Sequence, residues 1–256
     1  MKILVAIKQV PLRDSHLHVA PNSRWIDESA LSFEINEPDA YALEEALQLR
    51  EKHGGEVVVL CAGPARATQT IREALAKGAD RAIHIEEENL ATLDTLGVAH
   101  LLATAARLEQ PDLILTGLQS DDLGAGQTGV VLAELLGIPH STIIMQVEVQ
   151  AASIRVKREL EDGWFQHISM PLPAVLTIQS GINKLHYATL MGIKKAKTKE
   201  LKTIAAASLG ARPAPAATIG KIYVPQKSKQ AQIFDGDPRT SAAQLVEKLK
   251  FEARVL

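Results

Sequence analysis

A disulfide framework is excluded by arithmetic, because the 256 residues hold a single cysteine, Cys61. So little cysteine suits a reducing compartment. Cys61 lies in an apolar strand pattern and reads as a small buried side chain. Aromatics make up only 4%, and Ala, Leu, Ile and Val supply the apolar mass. That balance favours helices packed on a sheet over an all-β sandwich. The formal net charge of −2 leaves no overall footprint for nucleic acid. No apolar run is long enough to cross a bilayer, and residues 3–7 are too few for a secretory signal core. The expectation is a soluble cytoplasmic protein, large enough for a sizeable core in one domain or two.

Reaction chemistry is equally scarce. There is no G-x-S-x-G elbow, no evident nucleophile–base pair and no histidine spacing of a metal site. His16 and His18 fall in a polar loop and read as solvated. Glu44 and Glu45 share a helix and are expected on its wet face. No catalytic group and no metal ligand is expected.

What is present is a rhythm. Apolar strands at 3–7, 56–60, 81–85 and 112–117 alternate with helices at about 37–49, 67–77, 92–108 and 127–136. Asn36 reads as the cap of the first helix. Such alternation with short connections specifies an α/β fold, a doubly wound, mostly parallel sheet with helices on both faces. After Pro139 the pattern changes to strands at 143–149, 154–160 and 165–170, the last two joined through Asp162-Gly163 as an antiparallel hairpin. A strand at 174–178 returns to the sheet. Beyond about residue 199 the chain becomes rich in Ala and Pro. It ends in an amphipathic helix starting near Pro238, with Asp237 as its cap. The expected division is a nucleotide-binding domain over 1–199 that includes the partner-recognition loop, and a C-terminal arm over 200–256. The arm's short apolar strand and single amphipathic helix cannot form a core of their own, so that it must lie on the domain or, as is expected, wrap a partner.

In a doubly wound sheet, ligands bind beyond the carboxyl ends of the strands. The loop after the fourth strand reads Gly117-Leu118-Gln119-Ser120-Asp121-Asp122-Leu123-Gly124-Ala125-Gly126-Gln127-Thr128-Gly129. Its small residues allow close backbone approach, and the following helix start offers free N–H groups to a phosphate. It is neither a Walker loop nor a G-x-G-x-x-G fingerprint. Asp121 and Asp122 would repel a polyphosphate unless they point away. A nucleotide phosphate site and a flexible loop with turn glycines both remain open on this pattern.

A second loop follows the strand at 174–178. It carries Tyr187, Leu190 and Met191 beside Lys184, Lys194, Lys195, Lys197 and Lys199. Apolar groups ringed by charge mark a docking surface. The alternative is a loop tethered to its own domain.

These pieces in order resemble the beta subunit of an electron-transfer flavoprotein. The residues that carry the resemblance are Lys2 to Val10, Asn36 with Ala42-Leu43-Glu44-Glu45-Ala46, Gly63-Pro64, Ala76-Lys77-Gly78-Ala79-Asp80-Arg81, the loop 117–129, Arg158-Glu159, Leu172-Pro173-Ala174-Val175 and Tyr187-Ala188-Thr189-Leu190. The match runs from the start to about residue 199, and the tail has the family's general form.

The resemblance implies a heterodimer with an alpha subunit that holds most of the FAD, while the beta chain holds AMP. AMP contacts would map onto Ala6, Asn36, Glu37, Pro38, Asp39 and Ala62. From the loop they would add Gly117, Gln119, Ser120, Asp121, Asp122, Leu123, Gly124, Ala125, Gly126, Gln127 and Thr128. Tyr187, Ala188, Thr189, Leu190 and Met191 would dock an acyl-CoA dehydrogenase-type flavoenzyme, and Glu159 would hold the mobile flavin domain through an arginine of the alpha chain. Electrons would pass on to a membrane quinone oxidoreductase without membrane insertion or nucleic acid, in the cytoplasm or, in a eukaryote, the mitochondrial matrix. Two departures stand out: Pro38 and Arg13 occupy places where relatives often carry aromatics, and Asn183-Lys184-Leu185-His186 stands for a frequent Asn-Glu-Pro-Arg. An electron-bifurcating relative with a second FAD in place of AMP, and a non-redox adenine-nucleotide module, are the alternatives.

Overall fold

The computed structural model describes residues 1–22, 24–226 and 231–256. In chain order its elements are β1 (Lys2–Ala6), β2 (Gln9–Pro11), β3 (Phe33–Ile35), α1 (Glu37–His53), β4 (Glu56–Gly63), α2 (Thr68–Lys77), β5 (Arg81–Glu86), α3 (Thr95–Glu109) and β6 (Leu113–Gly117). They continue as α4 (Thr128–Leu136), β7 (His140–Val149), β8 (Ser153–Glu159), β9 (Phe165–Pro171), β10 (Ala174–Ile178), α5 (Leu190–Ala196), β11 (Leu201–Ala205) and α6 (Pro238–Phe251). Contacts divide the chain into two compact units, 1–222 and 223–256.

The nine-stranded sheet has the order β11-β5-β4-β1-β6-β10-β7-β8-β9. Every pair from β11 to β7 is parallel, and β8 and β9 close the sheet as antiparallel strands. β2 and β3 form a separate antiparallel pair. The α/β fold read from the alternation is therefore present. Asp162 (φ 57) and Gly163 (φ 76) make the turn between β8 and β9 in the left-handed region, the conformation that Asp-Gly favours.

The core explains why the strands read as continuous apolar runs. Ile3 and Val5 of β1 face one way, packing with Leu43, Leu47, Ile71 and Leu75 of α1 and α2. Leu4 and Ala6 face the other way, toward Leu101, Leu102 and Leu132 of α3 and α4. Both sheet faces are covered, so alternation is lost in the sequence. The chain moves from β1 through β4 to β5, then returns to place β6 on the opposite side of β1. That reversal opens a crevice at the carboxyl ends of β1 and β6.

Local boundaries are set by specific contacts. α3 begins at Thr95, not near residue 92, because the Asp94 side chain accepts the Gly97 N–H at 2.9 Å and caps it there. β11 extends the parallel sheet beside β5 beyond residue 199. The stretch after it lies on the domain: Arg212 pairs with Glu87 at 2.6 Å, and Asp94 accepts the Ala216 and Ala217 N–H groups at 2.7 and 3.2 Å. In the second unit, Asp237 caps α6 by accepting the N–H groups of Arg239 and Thr240. α6 has no buried residue and exposes Leu245, Val246 and Phe251.

Candidate nucleotide site and docking loop

A cavity of about 570 Å³ opens where the carboxyl ends of β1, β4 and β6 meet the loop 118–127. Ala6, Ala62, Gly63, Thr116 and Gly117 line the strand side. Small residues at strand ends leave room for a ligand against the backbone.

Long-range contacts shape the loop. Asn36 is buried and does not cap α1. Its Nδ2 donates to the Gln119 carbonyl at 3.0 Å, and its Oδ1 accepts the Asp121 N–H at 2.9 Å. Asp121 takes over the capping, with its carboxylate accepting the Glu37 N–H at 3.3 Å. Asp122 pairs with the Lys8 ammonium at 2.6 Å. Burial works against the Asp122 charge, but Lys8 and the local hydrogen bonds hold its carboxyl below the usual range. The two acids that would repel phosphate are thus occupied by a helix end and a cation.

The start of α4 is left open. Gln127 sits at its N-cap position and makes no side-chain capping bond. Ala125, Gly126, Gln127 and Thr128 all border the cavity, so the first N–H groups and dipole end of α4 lie beside it. The cations among the described residues lining the cavity are Lys8 and Arg66, and Arg66 pairs with Glu28 at 2.9 Å. One phosphate suits backbone donors; a polyphosphate would find its cations already engaged.

Of the expected contacts, Ala6, Asn36, Asp39, Ala62, Gly117, Gln119, Ser120, Asp121, Asp122 and Leu123 also border the cavity. Glu37, Pro38 and Gly124 do not: Glu37 is exposed, Pro38 is buried against Gly117, and Gly124 shapes the outer turn at φ +62. The sequence reading missed the apolar wall of Leu90, Leu93, Val98 and Leu102, with Ile219 and Ile222 from the arm. A signal was available for α3. The first turns of a helix that follows a parallel strand lie on the carboxyl-end side, where ligands bind.

The second loop is tethered at its base and exposed at its tip. Its base is tethered: Asn183 Nδ2 donates to Glu45 at 3.1 Å and to the Tyr41 carbonyl at 3.3 Å, and His186 contacts Glu44 and the Lys77 carbonyl. Arg72 donates to the carbonyls of Ala196 and Lys199. Lys199 turns inward to the Leu75 carbonyl at 3.0 Å, and burial lowers its pKa. Its tip is exposed, with Tyr187 at 92%, Leu190 at 82% and Met191 at 61% exposure. Thr189 caps α5 by accepting the Gly192 N–H at 3.0 Å, which fixes Leu190 in the first turn. Ala188 packs in behind as a partly buried residue. Glu44 and Glu45 are buried under this loop, which corrects their assignment to a wet face.

Residues 24–209 match the model of the electron transfer flavoprotein domain family. The chain is 37% identical over 259 residues to the mitochondrial electron transfer flavoprotein subunit beta of Oryza sativa subsp. japonica, covering 100% of both chains. It is 34% identical over 257 residues to the subunit beta of Methylophilus methylotrophus, covering 96% of this chain and 97% of the relative. The subunit beta of Bacillus subtilis (strain 168) is 35% identical over 261 residues, again covering both chains fully. This chain belongs to the electron transfer flavoprotein beta-subunit family.

Electron carriage is that family's role. No group of three or more His, Cys, Asp or Glu that could hold a metal occurs among the described residues, and none of the described helices is long and apolar enough to cross a membrane. Arg13 pairs with Glu37 at 3.7 Å, and Pro38 is buried beside Gly117. Glu159 ends β8 half-buried, in contact with Gln179 Nε2 at 3.4 Å. Cys61 is buried, and its thiol is pushed up to about 12, first by burial and then by the Asp39 charge. It is a core residue.

Proposed function

We propose that this chain is the beta half of a heterodimeric electron carrier that holds one AMP in the crevice. The observation that carries the AMP reading is the open start of α4 beside a cavity whose lining cations Lys8 and Arg66, among the described residues, are already paired. The family's FAD supplies the redox chemistry and sits mainly in the alpha subunit. In this chain, the backbone donors at 126–128 hold the phosphate, Asn36 and Asp39 hold the loop and strand ends in place, and the apolar wall takes the less polar part of the nucleotide. The residues 187–191 dock an acyl-CoA dehydrogenase-type flavoenzyme, and Glu159 restrains the flavin domain of the alpha subunit. Electrons then leave toward a membrane quinone oxidoreductase, with the carrier itself in the cytoplasm. The exposed apolar face of α6 supports an arm that packs on the alpha subunit.

The test is a count of ligands. Acid extraction of the purified heterodimer should release one AMP and one FAD. Two FAD and no AMP would move the chain to the electron-bifurcating branch. Purification free of any flavin-bearing chain would favour a non-redox nucleotide module.

A further inference from the structure

One carboxylate serves two elements. Asp94 Oδ1 accepts the Gly97 N–H at 2.9 Å and caps α3, while its Oδ2 accepts the N–H groups of Ala216 and Ala217 at 2.7 and 3.2 Å. These hydrogen bonds, the one from Gly97 first, hold its carboxyl below the usual carboxylate range, so the acceptor is charged at neutral pH. The segment 210–222 that it grips has neither helix nor strand. Among the described residues, the hydrogen bonds of this segment go to two acids: to Asp94, and from Arg212 to Glu87 at 2.6 Å. Yet it carries Ile219 and Ile222 into the lining of the crevice. A segment without a ladder of its own opens at low cost unless something outside it holds it. Glu87 follows β5 and Asp94 opens α3, so both holding points lie on the carboxyl-end side of the sheet, where the crevice opens.

We propose that Asp94 is a positioning residue that clasps the segment 210–222 onto the crevice, with the Arg212–Glu87 pair as a second clasp, so that opening of this strap sets how fast a bound nucleotide leaves. A ligand lying against Ile219 and Ile222 loses that wall only while the strap is lifted, and its rate of escape scales with the open population. The control of release rests on the nucleotide reading of the crevice; the clasps do not.

Hydrogen exchange at residues 214–222 and release of AMP, both measured on the heterodimer of the full chain with its alpha subunit, test the clasps and their consequence. Asp94→Ser separates the two roles of Asp94. Ser caps a helix as well as Asp does, so the Gly97 amide should keep its wild-type protection, but no second oxygen is left for the strap. Exchange at Ala216 and Ala217 should speed by about tenfold or more, as for the loss of a hydrogen bond to a charged acceptor. Release of radiolabelled AMP into excess unlabelled AMP should quicken by a similar factor. Asp94 itself borders the crevice, so Arg212→Gln supplies the control, because Arg212 lies outside the lining. It should quicken both exchange and release by about twofold to fivefold, as for a partly exposed ion pair. Unchanged exchange in both variants overturns the clasps. Faster exchange with unchanged AMP release overturns the control of release. A wild-type heterodimer that takes up no labelled AMP overturns the nucleotide reading and the control of release with it, while exchange decides the clasps on their own.

Discussion

The Asp39 carboxylate holds the Gly117 backbone: its Oδ1 accepts the Gly117 N–H at 2.8 Å, while its Oδ2 accepts the Lys8 N–H at 2.8 Å. One buried acid thus ties the ends of β1 and β6 together where the strand order reverses. The crevice floor is set by this tie, and the loop above it by Asn36.

Gly117 has no room for a side chain. A Cβ there would lie 2.4 Å from Asp39 Oδ1, 2.7 Å from Pro38 Cβ and 2.8 Å from the Asp39 nitrogen. The carboxylate is held by its hydrogen bonds from Gly117 and Lys8, and the other two atoms belong to a proline ring and the backbone. Gly117→Ala should cost about 1–3 kcal/mol, the usual range for overpacking. Urea unfolding should show the lowered midpoint, and the purified heterodimer should carry less nucleotide. Wild-type stability with full nucleotide content would show that the strand ends tolerate the shift.

Asp39 should also make stability depend on pH. Burial pushes its carboxyl up to about 7, with the Lys8 and Gly117 N–H groups opposing the rise. Between the unfolded value and about 7, the folded chain keeps a proton that the unfolded chain releases. The contribution is fully present below the unfolded value and is lost as pH rises through about 7. Asp39→Asn has no such proton. The stability of wild type relative to Asp39→Asn should therefore decline between about pH 5 and about pH 8. Unfolding curves of both proteins at the two pH values check the sign; a constant difference would mean that Asp39 stays ionised throughout.

The parallel strands were legible because burial on both faces leaves runs such as Val57-Val58-Val59-Leu60. β11 was not, because this edge strand buries neither Leu201 nor Ile204 fully and exposes the residues between them. Asn36 followed a sound local rule, since Asn before a helix usually caps it. Its partners Gln119 and Asp121 are more than eighty positions away, and no local pattern encodes them. Glu44 and Glu45 fail the same way, as the loop that covers them lies far along the chain. The glycine loop itself was readable, because close approach at a strand end needs small residues wherever the loop's partners come from.

Glu159 separates a cross-subunit role from a local one. Among the described residues it forms no ion pair, and its contact is the 3.4 Å hydrogen bond from Gln179. Glu159→Ala should change stability by no more than about 0.5 kcal/mol, as for most surface substitutions. If its charge restrains the flavin domain, the population of domain orientations should shift. Solution scattering of the heterodimer should change, and so should rates with a dehydrogenase, at constant AMP and FAD content. Unchanged scattering and rates would leave Glu159 a surface acid.

Leu190 gives the sharpest test. It is 82% exposed in the first turn of α5 and lies beside the exposed Tyr187 and Met191, so it contributes little to the fold of this chain. An apolar pocket on a partner would bury it. Full burial of a Leu side chain is worth roughly 1.5–3 kcal/mol, so Leu190→Ala should weaken docking by about tenfold to a hundredfold. Lys194, Lys195 and Lys197 are exposed on the same segment. They should speed encounter with an acidic surface and make the rate fall with salt. Electron transfer from the cognate dehydrogenase should collapse while thermal stability and AMP and FAD content stay at wild-type values. Reduction by dithionite needs no docking and should be unchanged. Loss of stability or of nucleotide in Leu190→Ala would make Leu190 part of the fold and remove the docking role.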